Sequence, residues 1–188
     1  MKNNFLLATL VACLCCLCVQ AQNKPVKFHA SLATGIAAGS SEPQWIIQTV
    51  NGLSFGKWFA GMGVGLDHYE YRTLPLFADV RRYFGKQDEA FVYGDIGYNF
   101  PWETKPGKEI GYYDEYSFTG GVYTDVGIGY RFVSGKKSAL NFTIGHSYKE
   151  LTANTGTTIC PFIGPCYTQT DKYRLNFGRI VIRAGFIF

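Results

Sequence analysis

Apolar and polar residues alternate with a period of two along most of this chain, and residues common in turns interrupt the alternation at intervals. This pattern is typical of half-buried β-strands, because successive side chains of a strand point to opposite faces. It predicts eight strands, at about 27–38, 45–56, 59–69, 73–84, 91–100, 118–133, 139–150 and 174–188. The expected fold class is therefore all-β.

The connections between these predicted strands alternate between two kinds. Three are short (Gly56–Trp58, Gly85–Ala90 and Ser134–Ser138), whereas two of the other four, 101–117 and 151–173, are long. Short turns at one end and longer loops at the other are typical of outer-membrane barrels, and each strand is long enough to cross a bilayer. We predict an eight-stranded antiparallel up-and-down transmembrane β-barrel over residues 22–188.

The first 21 residues have the features of an export signal. Lys2 precedes an almost wholly apolar stretch over residues 5–19, and Val19-Gln20-Ala21 offers small residues for a signal peptidase. The stretch is shorter than a membrane-spanning helix requires. We predict a signal peptide over residues 1–21. A lipoprotein signal that ends at Cys13 is the alternative.

The alternation divides each strand into an apolar and a polar face. In the sixth strand, Val126 and Ile128 lie on the apolar face, and Asp125 and Arg131 on the other. Alternation alone would also fit a secreted lipocalin-like barrel, with the faces reversed. The polar face is rich in Gly, Tyr, Asp and Arg, which favours a crowded barrel interior over a water-exposed surface. We therefore expect the apolar face to contact lipid.

Aromatic residues concentrate near the strand ends and predict two interfacial girdles. The short-turn side has Trp58, Phe59, Tyr83, Phe84, Phe132, Phe186 and Phe188, and the other side has Tyr69, Tyr71, Phe100, Trp102 and Tyr148.

Carboxylates and guanidinium groups share the predicted interior. Buried charges must be paired, and arginine binds carboxylates through two parallel hydrogen bonds. An ion-pair network that braces the barrel is expected from Asp79, Arg81, Asp95, Asp125, Arg131 and Arg183, with Asp67 and Arg179 nearby. A narrow proton or ion path is the functional alternative, although side chains fill most of an eight-stranded barrel.

Cysteine usage and charge narrow the chemistry further. Four of the six cysteines lie in the predicted signal, so Cys160 and Cys166 are expected to form a disulfide in an oxidising compartment. The three histidines are far apart, so no metal site or cofactor is expected. A net charge of +4 without a basic cluster gives no indication of nucleic-acid binding.

His146-Ser147 followed by Glu150 suggests an esterase, because some small outer-membrane barrels that deacylate lipid A use a similar arrangement. Adjacent residues of a strand face opposite ways, so His146 and Ser147 should not meet one substrate. We therefore predict no catalytic residues and no enzymatic activity. A lipid-modifying enzyme is kept as an alternative.

Two loops offer candidate contact surfaces. Tyr112, Tyr113 and Tyr116 lie among acidic residues in the connection 101–117, and Phe162 and Ile163 lie between the two cysteines of the connection 151–173. Aromatic and apolar residues in such positions can contact a protein or a glycan, or can pack within their own loop.

The mature chain resembles small OmpA/OmpX-type outer-membrane barrels, and the segments 75–84 and 94–98 are similar to a family of such barrels common in Bacteroidota. The resemblance implies residence in the bacterial outer membrane, contact with its lipid, and assembly by the barrel-assembly machinery through the C-terminal strand, with Phe186 and Phe188 as the signal. For the protein itself we expect a structural or interaction role through its outer loops, as a binding or adhesion module or as an accessory subunit of a larger complex. A narrow channel is a further alternative.

Overall fold

The computed structural model describes residues 26–102, 115–133 and 138–188, and the predicted signal peptide with Cys13 lies outside them. The described residues form eight strands: β1 (Lys27–Ala38), β2 (Gln44–Phe55), β3 (Trp58–Asp67), β4 (Thr73–Phe84), β5 (Ala90–Pro101), β6 (Glu115–Val133), β7 (Ala139–Ile159) and β8 (Tyr167–Ile187). Each pairs antiparallel with its neighbours in sequence, and β8 pairs with β1 to close the barrel. No helix in the described part of the chain is long and apolar enough to cross a membrane.

The turn between β2 and β3 shows how local sequence determines the topology. Phe55 pairs with Trp58, so Gly56 and Lys57 alone form the turn. Gly56 has a φ of 63°, which a two-residue hairpin of type II′ requires at its first position and which glycine adopts without steric cost. This turn, the β4–β5 turn and both ends of the described barrel lie at one rim, which we call the short-turn end.

Large apolar side chains point away from the barrel axis, as the alternation predicts. Val126 and Ile128 are exposed, whereas Asp125 and Tyr123 on the same strand are buried. The lipocalin alternative is therefore wrong, because a lipocalin barrel would place its apolar face inside. The outward residues form a continuous apolar belt around the wall.

The interior is packed by alternating large and small side chains. Gly63 on β3 pairs with Phe77 on β4, and a Cβ atom at Gly63 would collide with the Phe77 ring. A cluster of seven buried residues surrounds this contact: Val50, Phe59, Phe77, Tyr83, Phe91, Tyr93 and Tyr123. Such packing is expected of a narrow barrel, whose interior is about filled by its own side chains.

Three of the predicted girdle aromatics are in fact interior residues. Phe59, Tyr83 and Tyr69 are buried, whereas their neighbours Trp58 and Phe84 face outward. The prediction was wrong for these three because it grouped aromatics by their distance from a strand end. The alternation assigns adjacent residues to opposite faces.

The largest departure from prediction is the length of the last hairpin. β7 and β8 continue to Ile159 and from Tyr167, so the segment 151–173 is mostly paired strand rather than loop. Its many Thr, Asn and Gly residues resemble a turn, but cross-strand pairing satisfies their backbone groups. We call the segments Glu150–Ile159 and Tyr167–Asn176 the β7–β8 extension.

Candidate functional site: the barrel interior and the β7–β8 extension

Buried charges occupy the interior in equal numbers of each sign among the described residues. Four carboxylates (Asp67, Asp79, Asp95 and Asp125) face four cations (Arg81, Lys149, Arg179 and Arg183), and all eight are buried. Burying a charge costs free energy unless a charge of opposite sign compensates it. The equal number of buried positive and negative charges therefore favours folding. The network predicted from sequence is therefore present in modified form.

Three aspartates lie side by side in the middle of the barrel. Asp79 on β4 is opposite Asp95 on β5, and Asp95 is opposite Asp125 on β6. Arg81 donates two hydrogen bonds to Asp79 from Nε and Nη2, at 2.9 and 2.6 Å, and Arg183 forms an ion pair with Asp125. The outer two members of this row are thus paired with arginine.

Asp95, the central member of the row, has no hydrogen-bond donor among the described residues at either carboxylate oxygen. Like charges directly opposite each other on neighbouring strands repel. The expectation that Asp95 forms an ion pair was therefore wrong. The reason lies nearer the rim opposite the short turns, where Asp67 contacts two of the four cations, Arg179 and Lys149. Only two cations then remain for the three aspartates of the row, so one aspartate has no ion-pair partner.

Lys149 closes this second rim and was not identified from the sequence. Its Nζ donates hydrogen bonds to the carbonyl oxygens of Tyr69 and Tyr71, at 2.6 and 3.0 Å, and lies 3.5 Å from Asp67. The alternation could have predicted that Lys149 points inward, because Lys149 lies on the same face of β7 as Ser147. Lys149 thereby fixes the β3–β4 connection across the mouth of the barrel.

The β3–β4 connection is held by further contacts. The backbone N–H of Ser41 donates to the hydroxyl of the buried Tyr69, at 2.9 Å, so two connections meet at this ring. His68 stacks on Trp45 with ring centroids 3.9 Å apart. Burial lowers the pKa of His68, and the positive charge of Arg72 acts in the same direction.

Arg131 is not part of the ion-pair network, contrary to the prediction. Its guanidinium lies over the Tyr83 ring, 4.9 Å from the centroid, and donates to the Gln87 carbonyl oxygen at 3.3 Å. Arg131 follows Asp125 by six residues on the same face of β6, near the short-turn end, and is too far along the strand from the aspartate row to pair with it.

His146 and Ser147 lie on opposite faces, as predicted. His146 is exposed on the outer wall, and Ser147 is buried and accepts a hydrogen bond from Arg179 at 3.2 Å. Ser147 therefore contacts a cation rather than a general base, and the arrangement lacks the serine–histidine contact of an esterase.

The tip of the β7–β8 extension is the second of the two candidate contact surfaces. Cys160 and Cys166 form a disulfide, and between them Phe162 and Ile163 are fully or almost fully exposed, at 104% and 88%. The alternative of a self-packed loop is therefore wrong for Phe162 and Ile163. Tyr112 and Tyr113 lie outside the described residues, and so does the side chain of Tyr116.

The chain forms a closed barrel with buried charges in its filled interior and an apolar outer wall. These features define an eight-stranded β-barrel of the outer-membrane type. The solved structures agree on this fold. The chain is similar to the outer membrane protein OprG from Pseudomonas aeruginosa (11% identity, TM-score 0.54, 88% of this chain and 97% of that chain). It is also similar to the outer membrane protein AlkL determined in lipid bilayers (10% identity, TM-score 0.51, 86% and 89%). No protein-family model and no curated protein matches the sequence.

Proposed function

We propose that this protein is an integral outer-membrane barrel that acts as a non-enzymatic binding module through the β7–β8 extension. The apolar outer wall supports insertion into a bilayer, and barrels of this kind place their short turns in the periplasm. The extension then projects outside the cell. An OmpA/OmpX-like origin among Bacteroidota barrels belongs to the same proposal.

The exposed tip of the extension is the observation that carries this proposal. Each residue of an antiparallel strand adds about 3.4 Å, so Glu150–Ile159 extends about 30 Å along the strand beyond the level of Lys149. Exposed apolar side chains on a clamped turn are unusual on a protein surface without a partner. Tyr167 and Tyr173, each about half exposed, lie on the strand below the tip, and tyrosine is enriched in interfaces.

The two other candidate functions have less support. Conduction would require a continuous path, whereas Tyr69, Lys149 and the cluster of seven buried residues around Phe77 fill the described interior. Lipid modification would require His146 and Ser147 on one face. The geometry thus favours binding outside the barrel over transport or catalysis.

The test replaces the tip and measures what remains bound to the barrel. The double variant Phe162→Ser/Ile163→Ser should lose partners that co-purify from native membranes in mild detergent. The control Gln169→Ser/Thr170→Ser changes exposed polar residues of the same extension and should retain them. Identical co-purification from both variants and the natural protein would contradict the proposal.

A further inference from the structure

A cavity at the short-turn end is separate from the β7–β8 extension and from the ion-pair network. Its volume is about 310 Å³, and it is lined by Lys27, His29, Ser54, Gly56, Tyr83, Asp88 and Arg131. The size is within the range of small-molecule sites in proteins. We call this cavity the vestibule.

The vestibule wall carries a net positive charge, because its lining has two cations, Lys27 and Arg131, and one carboxylate, Asp88. Lys27 and His29 come from β1 and Arg131 comes from β6, three strands away around the barrel. Asp88 is the one carboxylate in the lining, and it lies 4.0 Å from Lys57, so a cation outside the vestibule already offsets it. Lys27 and Arg131 therefore leave an excess of positive charge in the vestibule.

Arg131 retains capacity to bind an acceptor. Its Nη2 donates to the Gln87 carbonyl oxygen, and its Nε, which is buried, has no acceptor among the described residues. A guanidinium offers five N–H donors in a planar fork that suits carboxylate and phosphate oxygens. The Tyr83 ring beneath it holds the guanidinium plane in place.

The vestibule is closed toward the membrane interior. Tyr83 packs against Phe91 with ring centroids 5.3 Å apart, and both belong to the cluster of seven buried residues in the barrel interior. A ligand that enters from the short-turn end would therefore stop at this floor. The vestibule is a blind site rather than the entrance of a channel.

We infer that the vestibule binds a small organic anion that carries a carboxylate or phosphate group, held by Lys27 and Arg131 and accessible from the short-turn end. The orientation proposed above places this opening in the periplasm. The inference stands independently of the function proposed for the β7–β8 extension, because no residue is shared between the two sites.

The test uses the natural mature protein in zwitterionic detergent. Succinate and inorganic phosphate are titrated separately at constant ionic strength, and the NMR signals of the arginine Nε–H groups are followed. The Arg131 signal should shift saturably with at least one of them, and the stronger of the two identifies the preferred group. Glucose at the same concentration should cause no shift.

Variants distinguish binding of the anion at the vestibule from its general attraction to a positively charged protein. Arg131→Gln and Lys27→Gln should each weaken binding about tenfold, in proportion to the loss of one charge-assisted contact. Arg82→Gln is the matched control, since Arg82 lies near the same rim but faces outward over Trp58; its affinity should stay within about twofold.

Two results would overturn the inference. One is the absence of a saturable shift with either anion, and the other is an equal loss of affinity in Arg82→Gln and Arg131→Gln. Heat-modifiable migration on gels confirms for each variant that the barrel has folded, so a misfolded variant is recognised before its affinity is compared.

Discussion

Individual side chains in the barrel interior differ in what their removal should cost. Asp79 accepts hydrogen bonds from Nε and Nη2 of Arg81. Loss of the Asp79 carboxylate would therefore leave a buried guanidinium without a partner. Asp95 has no donor and faces two other carboxylates. The two aspartates occupy one row, yet we expect their removal to affect the free energy of unfolding differently.

Asp79→Asn should therefore destabilise the barrel by about 3–5 kcal/mol, the range for breaking a buried ion pair. Asp95→Asn has the same shape and removes repulsion within the row, so we expect a change within about 1 kcal/mol or a gain. Urea unfolding in detergent, followed by tryptophan fluorescence, measures both. A larger loss for Asp95→Asn than for Asp79→Asn would show that Asp95 has a partner.

Lys149 acts on a connection rather than on one ion pair. Lys149→Met keeps the length of the side chain but removes the donors to the Tyr69 and Tyr71 carbonyl oxygens. We expect earlier cleavage within the β3–β4 connection by added protease, since its backbone loses two charge-assisted bonds. Lys172→Met, an exposed lysine of the β7–β8 extension, is the control and should leave this cleavage unchanged.

Among the secondary-structure elements, the last hairpin was the least predictable. The strands that cross the bilayer were identified because an apolar face against lipid and a packed interior impose strict alternation. Beyond the membrane neither constraint applies, so the segments 151–159 and 167–173 show weak alternation and a turn-like composition. Each of these two segments is a strand because it pairs with the other, and the pattern of apolar and polar residues along the sequence does not reveal this pairing.

The disulfide at the end of this hairpin should shape the tip without supporting the barrel. Cys160 and Cys166 are six residues apart, and the chain-entropy model gives only about 2 kcal/mol for so short a loop. The double variant Cys160→Ser/Cys166→Ser should insert and resist heat almost normally, while a partner bound at Phe162 dissociates faster. Failure of the variant to assemble would contradict this expectation, as would free thiols found by alkylation of the natural protein.

The whole molecule should fold only where its outer wall meets an apolar phase. Residues with large exposed apolar side chains surround the barrel, among them Ile36, Met62, Ile96, Val126 and Ile182. The mature chain is expected to refold in detergent micelles to a heat-modifiable β form and to aggregate without amphiphile. Circular dichroism and gel migration with and without heating test this, and a monodisperse protein in plain buffer would contradict it.

The sequence allowed the barrel to be predicted as a whole and its interior only in part. Alternation determines which residues face inward, and so the aspartates and arginines were found. Which cation reaches which carboxylate depends on the stagger between strands, and a single chain does not display that stagger. Arg131 and Asp95 were assigned incorrectly for this reason, and the Asp67 contacts of Lys149 were missed.

The seam between β1 and β8 has a consequence for the order in which the chain folds. It pairs Ser31–Ala38 with Ile180–Ile187, whereas β7 and β8 are consecutive in the chain and are paired over Ala139–Ile159. Closing the seam joins the first and the last strand of the barrel, so its entropic cost exceeds that of any hairpin. We expect a rapid β-rich open sheet followed by slow closure, in which β-structure measured by circular dichroism appears before heat resistance. β1, already paired with β2 in the open sheet, would then gain its second neighbour, β8, last.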